Sequence, residues 1–247
     1  MTNAQSSIHL ETVEYKDEAV TCVGTLVYDS AHPGRLPGVL VCPTFWGADP
    51  LARRKATQIA RLGYTVFVMD PYGDGKNAET REEATKLMLD LLKDRSVIRR
   101  RAAAALKTLR YHRRADGSHL AAVGYCFGGL VALELARDGA DLRAVVSFHG
   151  VLDNGGAKPP ALIKPALLIL HGAEDPIVPP AQVAAFMDEM RAAKADWQMV
   201  HYGGAVHAFT NPEAADDAFG TVYHEAADKR SWRLMTAHLH EAFTDRG

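Results

Sequence analysis

Short, nearly unbroken apolar runs take turns with amphipathic stretches through most of this sequence, and few folds accommodate that alternation. The runs are PGVLVCP (37–43), YTVFVMD (64–70), HLAAVGY (119–125), LRAVVSFHG (142–150), PALLILHG (165–172) and DWQMVHYGG (196–204). Helical stretches lie between them. In PAQVAAFMDEMRAAK, Val183, Phe186, Met187 and Met190 fall at i, i+3, i+4 and i+7 and share one helix face. Strands that are apolar at every position are buried on both sides, so the pattern predicts a mainly parallel central sheet with helices on both faces, a three-layer α/β fold. The first forty residues read as further strands, and AVTCVGTLVYD alternates in places. No repeat, low-complexity segment or linker interrupts the order, and DNGGAKPPALIKP (153–165) reads as a loop between two strands. The expectation is a single α/β domain over residues 1–247.

Composition narrows the partners. A net charge of −2 gives no general attraction to nucleic acid or to a membrane surface. The start, MTNAQSSIHL, lacks the basic and then apolar segments of a secretory signal, and no apolar run approaches the roughly 18 residues of a membrane span. Cys22, Cys42 and Cys126 are an odd, scattered set that does not make a disulfide framework. A reduced, cytoplasmic, soluble protein is expected, without nucleic-acid or membrane partners.

In parallel α/β sheets, sites form beyond the carboxyl ends of the strands. That directs attention to Thr44–Trp46, Asp70–Gly75, Cys126, Asp175 and His207. LAAVGYCFGGLVALELA (120–136) places Cys126 at the crest of a Gly-x-Cys-x-Gly turn between a strand and a helix. A nucleophile on such a turn sits in strained backbone, and its neighbours two residues either side crowd each other, a need Gly124 and Gly128 meet. Gly129 lets the new helix pack close to the strand. The helix amino terminus favours a thiolate. The plainer reading is a buried structural cysteine in a glycine-rich turn. LLILHGAEDPIVPP then delivers Asp175 after a strand, and VHYGGAVHAFTNP delivers His207 after the last apolar run. Alone, the Asp is a turn former and the His a solvated loop residue. Together they give the order nucleophile, acid, histidine, which is that of the α/β-hydrolases. His207 then shares or takes the Cys126 proton and returns one to the leaving group, while Asp175 holds the imidazole in one tautomer. The oxyanion hole is expected from the backbone N–H groups of Phe127 and, in the loop after VLVCP, Phe45. His149 and His171 are the next candidates for the base.

GYCFGG, GAEDPIVPP and GGAVHAF, over a match running from about Pro37 to the C-terminal helix, resemble the dienelactone hydrolase family. The resemblance implies a cysteine-dependent hydrolase of lactones or activated esters with no metal or organic cofactor, with Cys126 as nucleophile, Asp175 as acid and His207 as base. It also matches a substrate-facing arginine to Arg81. Where well-studied members carry a glutamate that activates the thiol, this chain has Thr44, beside Trp46 in the same loop; where they carry a second arginine for the substrate carboxylate, it has Asn211. Thr44, Trp46, Arg81 and Asn211 are therefore the expected substrate contacts. Neutral activated esters are expected to be better substrates than an anionic dienelactone. The expected partner is a small ester or lactone, with activated phosphotriesters as a side substrate and the chain a monomer or homodimer.

Other signals are weaker. GDGKNA (73–78) follows a strand and fits a dinucleotide pattern, but a long helical stretch follows it rather than a helix, a second strand and an acidic residue. A nicotinamide oxidoreductase, or a catalytically idle hydrolase fold used for binding, are the alternatives. HEAAD (224–228) lacks the second histidine of a zinc helix, and His238 and His240 point to different sides of theirs. The basic stretch KDRSVIRRRAAAALKTLRYHRRAD reads as a solvated helix face interleaved with Ala and Leu. Cys42 reads as a small core residue.

Overall fold

The computed structural model describes residues 8–244, so most of the amino-terminal segment read for a leader lies outside the described residues. The chain divides at Ala121/Ala122 into two compact units. The division falls within one strand, β5 (Ala115–Tyr125).

In the first unit, β1 (Ile8–Asp17) and β2 (Val20–Asp29) form an antiparallel hairpin. β3 (Leu36–Cys42) runs parallel to β4 (Thr65–Val68), and the strand order is β1-β2-β4-β3. All four residues of β4 are buried, as strands covered on both faces must be. Three helices start on side-chain caps that satisfy first-turn N–H groups. Asp49 caps α1 (Pro50–Ala60), Thr80 caps α2 (Arg81–Leu92) and Asp94 caps α3 (Arg95–Tyr111). The basic helix α3 departs from the expected solvated face at one arginine. Arg101 is turned inward, its Nε 3.2 Å from Asp17 Oδ2 and its Nη1 3.0 Å from the Pro71 carbonyl. Arg100 reaches the other Asp17 oxygen at 2.7 Å. A buried arginine needs such saturation, because its charge cannot be shed.

In the second unit, the end of β5 is followed by α4 (Phe127–Arg137), β6 (Ala144–Phe148), β7 (Ala166–Gly172), α5 (Pro180–Ala192), β8 (Trp197–Tyr202), a short antiparallel pair β9 (Ala215–Asp216) and β10 (Thr221–Val222), and α6 (Glu225–Thr244). The strand order is β5-β6-β7-β8, with β6–β7 and β7–β8 parallel. Every position of β6 and β7 is buried. The architecture is α/β with mostly parallel strands, as the apolar runs predict. α5 buries Val183, Phe186 and Met190, three of the four residues of its expected face. Arg137, at the end of α4, grips both Glu189 oxygens of α5 at 2.8 Å and also reaches Glu134 and the Leu152 carbonyl. That cluster braces the helix running away from Cys126. No described helix is long and apolar enough to cross a membrane.

Candidate active site

β5 ends at Tyr125 and α4 begins at Phe127, so the turn between them is one residue, Cys126. Its φ of 55° and ψ of −119° are a conformation L-residues avoid. Strain of that kind costs on the order of 1–3 kcal/mol and persists only where the surroundings impose it. The Cys126 N–H donates to the Phe148 carbonyl at 3.0 Å, and its own carbonyl accepts from the Gly129 N–H at 2.9 Å. Position 124 tolerates only glycine, since a Cβ there would stand 1.9 Å from the Gly128 carbonyl oxygen. The thiol is half-exposed, whereas Cys22 and Cys42 are buried, and burial pushes both of their thiols up.

Asp175 follows β7. Its Oδ1 accepts from the Ile177 N–H at 2.9 Å, and its Oδ2 lies 2.8 Å from His207 Nδ1. Both side chains are buried. The loops carrying them are joined by Ala173 N–H to Tyr202 O at 3.0 Å and Glu174 N–H to Ala205 O at 3.0 Å. They cross so closely at Gly172 that a Cβ there would be 2.6 Å from the Ala205 oxygen. From the far side, the β9–β10 hairpin holds His207 by its backbone: His207 N–H donates to Gly220 O at 3.0 Å, and Val222 N–H to His207 O at 3.1 Å.

This burial drives the His207 imidazole down, but the Cys126 sulfur and the Asp175 carboxylate, through charge and hydrogen bonding, outweigh it and leave the pKa raised to about 10. Nδ1 is committed to Asp175, which leaves Nε2 as the nitrogen available for proton exchange. A neutral imidazole held by a carboxylate near a sulfur can take a proton from the sulfur and, as the imidazolium, deliver it to a leaving group. His171, one alternative base, is lowered, chiefly by burial.

The remaining predicted residues fall as follows. Phe127 is the first residue of α4, and its ring is buried. Asn211 is in the His207 segment, where its Oδ1 accepts from the Glu213 N–H at 3.1 Å and closes a turn. Thr44, Phe45 and Trp46 lie in the first unit, in the loop after β3. There Thr44 Oγ1 accepts from the Trp46 N–H at 3.3 Å, and the Tyr72 hydroxyl donates to the Phe45 carbonyl at 2.7 Å. Arg81 opens α2 in the same unit. Just before GDGKNA, the buried Asp70 carboxylate accepts from the N–H groups of Val23, Tyr72, Gly73 and Gly75 at 2.8–3.0 Å. Two glycine amides a phosphate would need are thus already taken. Among the described residues, no group of three or more His, Cys, Asp or Glu side chains could hold a metal ion.

Two residues beside the site, Thr210 and Gly220, carry no sequence mark of their own, and His149 is marked only as an alternative base. His149 and Thr210 are buried next to His207, and Gly220, at φ 70°, presses on Pro176 of the Asp175 loop. The one available signal is the His-Gly pair that ends both SFHG and LILHG, a glycine at a strand end where another segment crosses.

The profile of the dienelactone hydrolase family matches residues 23–243. A crystal structure of a dienelactone hydrolase-like promiscuous phosphotriesterase from metagenomic libraries is 38% identical, with a TM-score of 0.90 over 96% of this chain and 99% of that one. An uncharacterized protein of Caenorhabditis elegans is 40% identical over 146 residues, 58% of this chain and 92% of that protein. A Bradyrhizobium sp protein named as a probable 2-oxo-3-(5-oxofuran-2-ylidene)propanoate lactonase is 26% identical over 216 residues, 83% of this chain and 84% of its own.

Proposed function

Because the chain belongs to the dienelactone hydrolase family and is a hydrolase acting on ester bonds, we propose that it cleaves lactones or activated carboxylic esters through a thioester on Cys126. One observation carries this reading: the buried 2.8 Å bond between Asp175 and His207, with the imidazole raised by the sulfur beside it. Cys126 Sγ, as thiolate, attacks the carbonyl carbon, and the C=O π pair moves to oxygen. The N–H of Phe127, at the amino end of α4, meets that oxyanion. Collapse breaks the bond to the alcohol oxygen, which takes the proton from His207 Nε2 and leaves an acyl thioester. The sulfur is now uncharged, so one cause of the raised imidazole is gone and burial favours its neutral form. Neutral Nε2 takes a proton from water, the hydroxide oxygen adds to the thioester carbon, and the thiolate departs with the imidazolium restored. The net change is ester plus water to acid plus alcohol.

On the sequence alone we also propose the Phe45 N–H as the second oxyanion donor, and Arg81, Thr44, Trp46 and Asn211 as substrate contacts. Thr44 and Asn211 bring no charge to an anionic substrate, which is why neutral esters are favoured. A charge-assisted hydrogen bond contributes roughly 1.5–3 kcal/mol, so one missing arginine lowers binding of an anion about ten- to a hundredfold. The likeness to a promiscuous phosphotriesterase supports activated phosphotriesters as side substrates. A thiolate nucleophile also suits a reducing compartment such as the cytoplasm.

The test is kcat/KM for a neutral aryl ester, an anionic dienelactone and an activated phosphotriester, with the native chain, Cys126→Ala and His207→Ala. The neutral ester should lead, and His207→Ala should fall roughly 10²–10⁴-fold. Native turnover in both variants would overturn the mechanism. No turnover by the native chain would leave the binding-module reading.

A further inference from the structure

His149 ties together the segments that carry Cys126, Asp175 and His207, yet no step above uses it. It follows β6, is 2% exposed, and has a φ of 39°, the left-handed region that non-glycine residues rarely enter. Backbone held there marks a position that its neighbours over-determine. The carbonyl just before it, on Phe148, accepts the Cys126 N–H at 3.0 Å. The residue just after it, Gly150, lies so close to α4 that a Cβ there would be 2.9 Å from Gly129 Cα. The His149 N–H donates to Leu170 O at 2.8 Å, in the strand that leads to Asp175. Its Nε2 is 2.9 Å from Thr210 Oγ1, three residues beyond His207. Its ring stands edge-to-face with the His207 ring, centroids 5.2 Å apart and planes at 63°. Phe209 supports it from another side at 5.1 Å.

A single hydrogen bond at Nδ1 fixes one point of the His207 ring and leaves the ring free to tilt about that point. Aiming Nε2 requires a second contact, and a misplacement of about 1 Å costs on the order of 10²-fold in rate. We propose that His149 is a positioning residue: its ring, tied by Thr210, is the wall that fixes the tilt of the His207 imidazole and aims Nε2 at Cys126. This rests on His207 being the base.

The experiment measures kcat and KM on a neutral aryl ester for His149→Ala, His149→Phe, Thr210→Val, His207→Ala, and the first and third of these combined with His207→Ala, with near-ultraviolet circular dichroism to confirm folding. His149→Ala should lower kcat about 10- to 100-fold, with KM changed less than about threefold. His149→Phe meets the same backbone strain but keeps a ring, and should recover most of the loss. Thr210→Val, which unties the ring, should lose several-fold. In the His207→Ala background neither His149→Ala nor Thr210→Val should change the residual rate, because the wall acts only through the ring it supports. Native kcat in His149→Ala, no recovery by His149→Phe, or equal losses with and without His207 would each overturn the proposal. If His149→Ala does not fold, the His149→Phe and Thr210→Val arms decide it in the same way. Native turnover in His207→Ala would instead sink the mechanism itself.

Discussion

At His207 a buried imidazole is hydrogen-bonded through Nδ1 to the Asp175 carboxylate and feels the charge of the Cys126 sulfur, and the balance among burial and these two groups sets where the proton rests. Burial alone would keep the ring neutral. Cys126 and Asp175 together hold it raised to about 10, far above the ordinary value of about 6.5. While the Cys126 sulfur is charged, the ring keeps its proton at neutral pH and loses it only as pH rises toward that value. Removing the sulfur with Cys126→Ala takes away one of the two supports and leaves burial unchanged. The His207 ring should then titrate at lower pH than in the native chain, as followed by NMR of the imidazole. An unchanged titration would mean that the sulfur is not the second support. In the proposed mechanism the same dependence lets one ring serve as acid before acylation and as base after it.

Helices, strands and loops hold those side chains through close backbone crossings that only glycine permits. The elbow is one, with Gly124 against the Gly128 carbonyl. The second is Gly172, the last residue of β7, over which Ala205 and Val206 pass on the way to His207. A methyl at Gly172 would have to displace backbone, because the atoms 2.6 and 2.7 Å away are carbonyl oxygens. Gly172→Ala should therefore push the His207 segment away from Asp175. Overpacking of this kind costs about 1–3 kcal/mol, visible as a lower urea midpoint. The rate on an aryl ester should fall about 10²-fold if the displacement approaches 1 Å. Gly139→Ala meets no atom within 4 Å, but its φ of 79° gives it a left-handed strain that Gly172 does not have. It is the control for strain without displacement: it should lose stability but keep the rate. Equal rate losses in the two variants would show that crowding at Gly172 does not govern the site.

For the molecule as a whole, what could be read from the sequence followed from how far each interaction reaches along the chain. β4, β6 and β7 are buried at every position and so announce themselves as apolar runs. Asp175 and His207 stand out because each follows a strand, where a parallel sheet builds its sites. β9 and β10, two residues each, are too short to show any period. Arg101 looks like its solvated neighbours because Asp17, which holds it, lies 84 positions away. His149 is visible as a candidate base, but its place against His207 is not, since only folding brings the two rings together. The proposed mechanism requires a covalent acyl group on one of three thiols. The most direct measurement mixes the native chain with a neutral aryl ester, quenches in acid during the first turnover, and maps the added mass by peptide spectrometry. The acyl mass should appear on the peptide containing Cys126, not on those of Cys22 or Cys42, and its amount should equal the burst of released phenol. A burst with no acyl mass on Cys126, or steady turnover undiminished in Cys126→Ala, would contradict the account.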